Sequence, residues 1–126
     1  MKNYVDFEIG NILLGENNHP IDGNHYIVYY KDIDRRDFEG CMISTKPHNN
    51  INKSMMPEHF EVVNAETGND WPITYKNSYL VPAKLHKFNE MGPFTKVGQL
   101  TEEGILFITG IIAPKRLTPW EVYKVQ

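Results

Sequence analysis

The sequence predicts a mainly β fold: a small antiparallel β-barrel with one C-terminal helix. Three observations carry this. Short stretches rich in aromatic and branched residues recur at 25–30, 38–44 and 59–64 and across 73–88. Long polar segments with turn residues separate them. Only one segment, from Thr101 to Ile112, places apolar residues at helical spacing.

Taken in order, residues 6–14 form a first strand, with Phe7, Ile9, Ile12 and Leu14 as its apolar positions and Gly10-Asn11 as an interruption. Residues 16–24 read as a Gly/Asn/Pro loop, with Gly23 suited to positive φ. Strands at 25–30 and 38–44 follow, joined by a 31–37 loop that turns near Asp34-Arg35-Arg36. Residues 46–54 show no apolar period and read as a polar loop. A short strand at 59–64 carries Phe60, Val62 and Val63, and 65–70 is a turn cluster. Residues 73–88 read as one long strand or a bent pair, with Pro82 marking an edge or bulge. Thr101 is a good N-cap, and Glu102 and Glu103 sit where the helix dipole favours them. Ile105, Ile108 and Ile112 then share a face that Leu106, Phe107 and Ile111 widen, until Pro114 ends it. The tail, 113–126, is expected to add a last strand through Trp120-Glu121-Val122-Tyr123. Tyr26, Tyr29, Tyr30, Phe38, Phe60 and Tyr79 are first of all barrel core, and only second a stacking platform for bases.

The 126 residues make one domain, 1–126, large enough for a single core. No apolar run approaches the roughly 18 residues of a membrane span, and residues 1–6 lack a signal-peptide core, so the cytoplasm is the expected location. Cys41 is the only cysteine, which rules out an internal disulfide; inside an apolar strand it reads as a small buried side chain. His19, His25, His48, His59 and His86 show no helical His-x3-His spacing, and neither a metal nor a cofactor is expected. Glycine-rich phosphate loops, Gly-x-Ser-x-Gly and His-Glu-x-x-His are absent from the sequence.

A formal net charge of -3 argues against coating nucleic acid through bulk charge. The sixteen acidic residues nevertheless avoid two windows, 40–57 and 71–89. The first holds Lys46, His48 and Lys53 among Asn49, Asn50 and Asn52; the second holds Lys76, Lys84, His86 and Lys87. Brought to one face, they form a positive, amide-rich surface for a short polyanionic strand. On separate faces they are two solvated stretches. A further pairing comes from strand geometry. If the strands at 25–30 and 38–44 are antiparallel neighbours, His25 and Ser44/Thr45 reach the same sheet edge. An imidazole beside a hydroxyl is minimal equipment for proton transfer at a phosphate or carbonyl. The same residues also serve as turn and capping groups elsewhere.

The chain opens its first strand with Gly10-Asn11-Ile12-Leu13 and the next with Gly23-Asn24-His25-Tyr26-Ile27-Val28. It then carries Ile43-Ser44-Thr45, Met56-Pro57-Glu58-His59-Phe60-Glu61, Ser78-Tyr79-Leu80-Val81-Pro82-Ala83-Lys84-Leu85 and Lys96-Val97-Gly98-Gln99-Leu100-Thr101-Glu102-Glu103. In this order the pieces resemble the PemK/MazF-like family of toxin ribonucleases, over roughly residues 9–112. The last stretch is the most similar, matching the Gly-x-Leu-Ser-x-Glu that opens the family's final helix. The family's active-site arginine is matched by His25, with Tyr26 in place of its proline.

The resemblance implies a small SH3-like, PemK-like barrel and a metal-independent endoribonuclease toxin of a toxin-antitoxin pair. Such an enzyme cleaves single-stranded RNA as a homodimer and is inhibited by a small antitoxin with a flexible acidic segment. His25 is then general base or acid, and Thr45 or Ser44 holds a phosphate oxygen. Lys46, His48 or His59 supplies the second proton or offsets charge, and Lys53 and Lys84 help bind substrate. The alternative reading is a barrel of the same architecture that binds nucleic acid or a peptide and cuts nothing.

Overall fold

In the strands β1 (Asn11–Gly15), β2 (Tyr26–Asp34) and β3 (Asp37–Ser44), apolar residues stand at consecutive rather than alternate positions. A strand with such a run is dry on both faces. The computed structural model, which describes residues 7–16, 26–74, 76 and 78–123, meets this requirement with a mainly antiparallel sheet covered on each side. The register aligns Leu13, Ile27 and Met42 in one row and Ile12, Val28 and Cys41 in the next. The first row faces an aromatic-rich core with Phe7, Tyr29, Phe38, Phe88 and Phe94. The second faces a core with Phe60, Leu100, Ile108 and Ile112.

Five further strands complete the sheet: β4 (Lys53–Ser54), β5 (Tyr79–Leu80), β6 (Lys84–His86), β7 (Phe94–Gln99) and β8 (Leu117–Pro119). Their order is β4-β5-β3-β2-β1-β7, with β6 pairing β3 and β8. Among the described residues no ladder joins β4 to β7, so the sheet curls without closing into a barrel. The reason is local. The chain leaves β4 after two residues, turns through a 3-10 segment (Pro57–His59) and reaches the outer edge of β7 only as a single Phe60–Leu100 bridge.

Helix α1 (Glu102–Ile112) matches the expected segment, and the Thr101 hydroxyl accepts the Gly104 N–H at 3.1 Å as its N-cap. Ile108 and Ile112 are fully buried, whereas Leu106 is 66% exposed and does not widen the packed face. Gly104 lies against the backbone of His59, and a β-carbon there would run into the His59 carbonyl oxygen. The Thr101 N–H donates to that same oxygen at 2.9 Å.

Other elements depart from the sequence reading. The β2–β3 connection is shorter than 31–37, because the strands pair out to Asp34–Asp37 and leave Arg35 and Arg36 as the turn. There Asp34 accepts the Arg36 N–H at 2.8 Å. The 59–64 strand is replaced by the 3-10 turn and isolated bridges at Phe60 and Val63. The 73–88 stretch is the bent pair, β5 and β6, with Pro82 between them. The last strand is Leu117–Pro119, parallel to β6, and not 120–123. Residues Trp120–Tyr123 form a short helix, α2, since one turn brings both aromatic rings onto the aromatic core. No helix among the described residues is long and apolar enough to cross a membrane.

The two glycines of α1 make a paired test. Gly104→Ala forces a shift against the His59 backbone and is expected to destabilise by about 1–3 kcal/mol. Gly110 has open space around it, and Gly110→Ala should stabilise by up to about 1 kcal/mol. Urea denaturation of both variants decides; equal effects would refute the packing of α1 on His59.

Candidate functional site

β3 ends at Ser44, which lies opposite Tyr79 of β5; Tyr79 lies in turn opposite Ser54 of β4. The second half of β3, from Gly40 to Ser44, and all of β4 come from the first acid-free window, and β5 comes from the second. The two windows are therefore one continuous piece of sheet, because β5 pairs on both edges with strands of the other window.

Beside Ser44 lies a groove of about 250 Å³, lined by Tyr26, Ser44, Thr45, Lys76 and Ser78 over an apolar floor that includes Ile43 and Ile73. Ser44 is buried and its hydroxyl accepts the Lys46 N–H at 3.1 Å, a turn bond that fixes the strand end. Thr45 is exposed, and no hydrogen bond among the described residues engages its hydroxyl. Ser78 donates to the Thr74 carbonyl at 3.0 Å. Thr45 and Lys76, both exposed, are thus among the groups that can meet a ligand. His25 lies outside the described residues. It directly precedes Tyr26, which stands opposite Ile43 in the β2–β3 ladder.

Across β5 is a second groove of about 380 Å³, where Lys53, Ser54, Asn50 and Asn52 meet Tyr79, Phe107 and Ile111. Lys46 and His48 are exposed on the loop that forms its rim. In that loop His48, Asn49 and Asn50 all have left-handed backbones, with φ of 49°, 54° and 67°. The Ile51 N–H to His48 carbonyl and Asn52 N–H to Pro47 carbonyl bonds, both 3.1 Å, hold the turn.

Two of the candidate residues are committed to other work. His59 is buried; its Nδ1 accepts the Met56 N–H at 3.0 Å and its ring stacks on Phe107 at 4.3 Å. Its place is beneath α1, and it lines neither groove. The Lys84 ammonium donates to the Ala113 carbonyl at 3.0 Å, tying β6 to the end of α1. The fold thus gathers Ser44, Thr45, Lys46, His48 and Lys53 along β5 and its flanking loops, and leaves His59 and Lys84 as ties to the helix. Sequence reasoning did not single out Phe107 for the site; Tyr79 was read first as barrel core and only second as a stacking platform, and Lys76 only as one cation of its window. The signal available for Lys76 was its place in the second acid-free window.

Asp37 accepts the Lys87 N–H at 2.8 Å and pairs with His86 at 3.0 Å, which removes His86 from the basic surface. Among the described residues no group of three or more His, Cys, Asp or Glu could hold a metal ion. Cys41 is buried in the helix-side core, and burial pushes its thiol from 9.0 up to about 12, so it is no nucleophile. Burial also raises the Tyr29 phenol, with the hydrogen bond to Asp32 adding to the effect. No protein-family model matches the chain, and no curated protein or solved structure matches it significantly.

A thiol whose pKa is raised on folding stabilises the fold fully below the unfolded value and loses that contribution as pH rises through the folded one. Stability should therefore decline between pH 9 and about 12. Cys41→Ala should be less stable at pH 7, through its cavity, yet show a shallower alkaline decline in denaturant titrations. The native thiol should also resist Ellman's reagent at pH 8 and react once urea unfolds the chain. Rapid native labelling would contradict the burial.

Proposed function

We propose that the chain is a divergent PemK/MazF-like endoribonuclease toxin that cleaves single-stranded RNA without a metal, as a homodimer held in check by an acidic antitoxin. The observation that carries the reading is the union of the two acid-free windows through β5, beside a groove that presents Thr45, Ser44 and Lys76. A cation-bearing, carboxylate-free surface suits a polyanionic strand.

In the proposed reaction a base takes the proton of a ribose 2'-hydroxyl, whose oxygen attacks the adjacent phosphorus. The new P–O2' bond forms as the P–O5' bond breaks. An acid protonates the departing O5', leaving a 2',3'-cyclic phosphate and a 5'-hydroxyl. His25 is the proposed base or acid, since imidazole exchanges protons near neutral pH. Thr45 donates its hydroxyl to a phosphate oxygen that gains charge in the transition state. Lys46, Lys53 and His48 offset the charge of the strand. Ser44 contributes by fixing the turn that aims Thr45, given its bond from the Lys46 N–H.

A second reading, binding without cleavage, is favoured by one specific observation. His59, a candidate for the second proton, has its Nδ1 occupied by the Met56 N–H and its ring stacked on Phe107.

Purified protein incubated with total RNA in excess chelator should produce fragments ending in cyclic phosphate. His25→Ala should slow the cut by about 100- to 10,000-fold, the usual range for a general acid–base group. Thr45→Ala should lose less, a single transition-state hydrogen bond being worth about 2–4 kcal/mol. Thermal midpoints of both variants should stay close to that of the parent chain. RNA bound but left intact by the parent chain, with His25→Ala behaving identically, would establish the binding module instead.

A further inference from the structure

The second groove has features that phosphate binding alone does not require. Its volume, about 380 Å³, falls within the range of small-ligand clefts, about 300–1,000 Å³. The three segments that line it, within 40–57, 71–89 and 104–112, contain no carboxylate, and Lys53 is its lining cation. Two aromatic rings border it, Tyr79 and Phe107. Phe107 is braced from behind by the His59 ring, 4.3 Å away and inclined by 25°. His59 is itself locked by the Met56 N–H. A ring held in this way loses little side-chain entropy when a ligand stacks on it.

The polar part of the lining is amide. Asn52 donates one N–H to the Lys46 carbonyl at 2.9 Å, which fixes the amide plane. The Asn50 side chain has no hydrogen-bond partner among the described residues. Asn50 also ends the run of three left-handed residues. Such backbone costs of order 1–3 kcal/mol per residue, less for asparagine, and persists where the surroundings over-determine it. It lies at the rim of this groove. A purely apolar occupant, such as a leucine side chain, would strip water from both amides and return no hydrogen bond. A nucleobase meets every requirement: a flat face for the rings, edge donors and acceptors for the amides, and a neighbouring phosphate for Lys53.

We infer that the groove between α1 and the 47–52 loop is a base-binding subsite for single-stranded RNA, with Tyr79 and Phe107 as its stacking surface and Asn50 and Asn52 reading the base edge. The inference rests on the RNA-directed reading of the site and names a part of it. Ser44, Tyr79 and Ser54 lie in one cross-strand row. Tyr79 of the subsite and Ser44 of the other groove are therefore cross-strand neighbours, one strand spacing or about 5 Å apart along the sheet. One strand of RNA can occupy both.

The test separates binding from cutting. Affinity of the full chain is measured by fluorescence polarisation for a 2'-O-methyl uridine octamer, which resists cleavage, and for an abasic octamer of equal charge. Cleavage of unmodified RNA is assayed in parallel. The parent chain should prefer the base-bearing octamer by about 5- to 150-fold, as expected for one stacked base. Tyr79→Leu and Phe107→Leu keep apolar volume and should each bring that ratio toward one; melting curves identify a variant that does not fold, and the other then decides. RNA cleavage without a base preference, or with a ratio unmoved in both folded variants, overturns the subsite and leaves the ribonuclease reading standing. A base preference lost in the variants, with no cleavage by the parent chain, supports the subsite and removes the catalysis. Absence of both cutting and binding overturns the two together.

Discussion

Three central strands that each carry a run of consecutive apolar residues must find two covers, and most of the architecture follows from that demand. Leu13, Ile27 and Met42 point one way and Ile12, Val28 and Cys41 the other, so each row needs its own core. Full burial of a side chain of this size contributes about 1.5–3 kcal/mol, and wetting either row forfeits several such contributions. One cover is α1 with Phe60 and Leu100; the other is the aromatic set with Trp120 and Tyr123 packed against it.

His59 links the first cover to the edge of the sheet. Its carbonyl meets Thr101 and Gly104, its ring meets Phe107, and its Nδ1 holds the 3-10 turn that carries the chain from β4 to β7. The candidate site lies where this arrangement runs out of regular pairing. β4 and β5 are two residues long, so the sheet beside Ser44 gives way to loops whose polar groups are not all used by the fold. Local irregularity and available chemistry have the same origin here.

The parts of the fold written in neighbouring residues were legible in the sequence. α1 was readable because its cap, acidic first turn and isoleucine spacing all lie within twelve positions. β2 and β3 were readable from their apolar runs. β7 was not, since Thr95, Lys96 and Gly98 break any alternation and its strand form comes from pairing with β1, far away in sequence. β8 is defined by a parallel partner, and nothing local marks it. Of the site, the two acid-free windows were visible, but their union depends on β5 pairing with both β3 and β4. His59 read as one candidate for the second proton because burial by a helix more than forty residues later leaves no trace near position 59.

The position of α2 in the chain has a consequence for synthesis. Phe38, Phe88 and Phe94 pack together in the middle of the aromatic face, and Trp120 lies over Phe88 with Tyr123 beside it. A growing chain can pair β1 with β2 and β2 with β3 early, yet that face lacks its Trp120 and Tyr123 cover until residues past 120 have left the ribosome. For most of its synthesis the nascent protein therefore carries a sticky aromatic surface, the kind that chaperones hold and that aggregation exploits. The helix-side cover, complete by residue 112, forms earlier, so the two faces of one sheet become dry at different times.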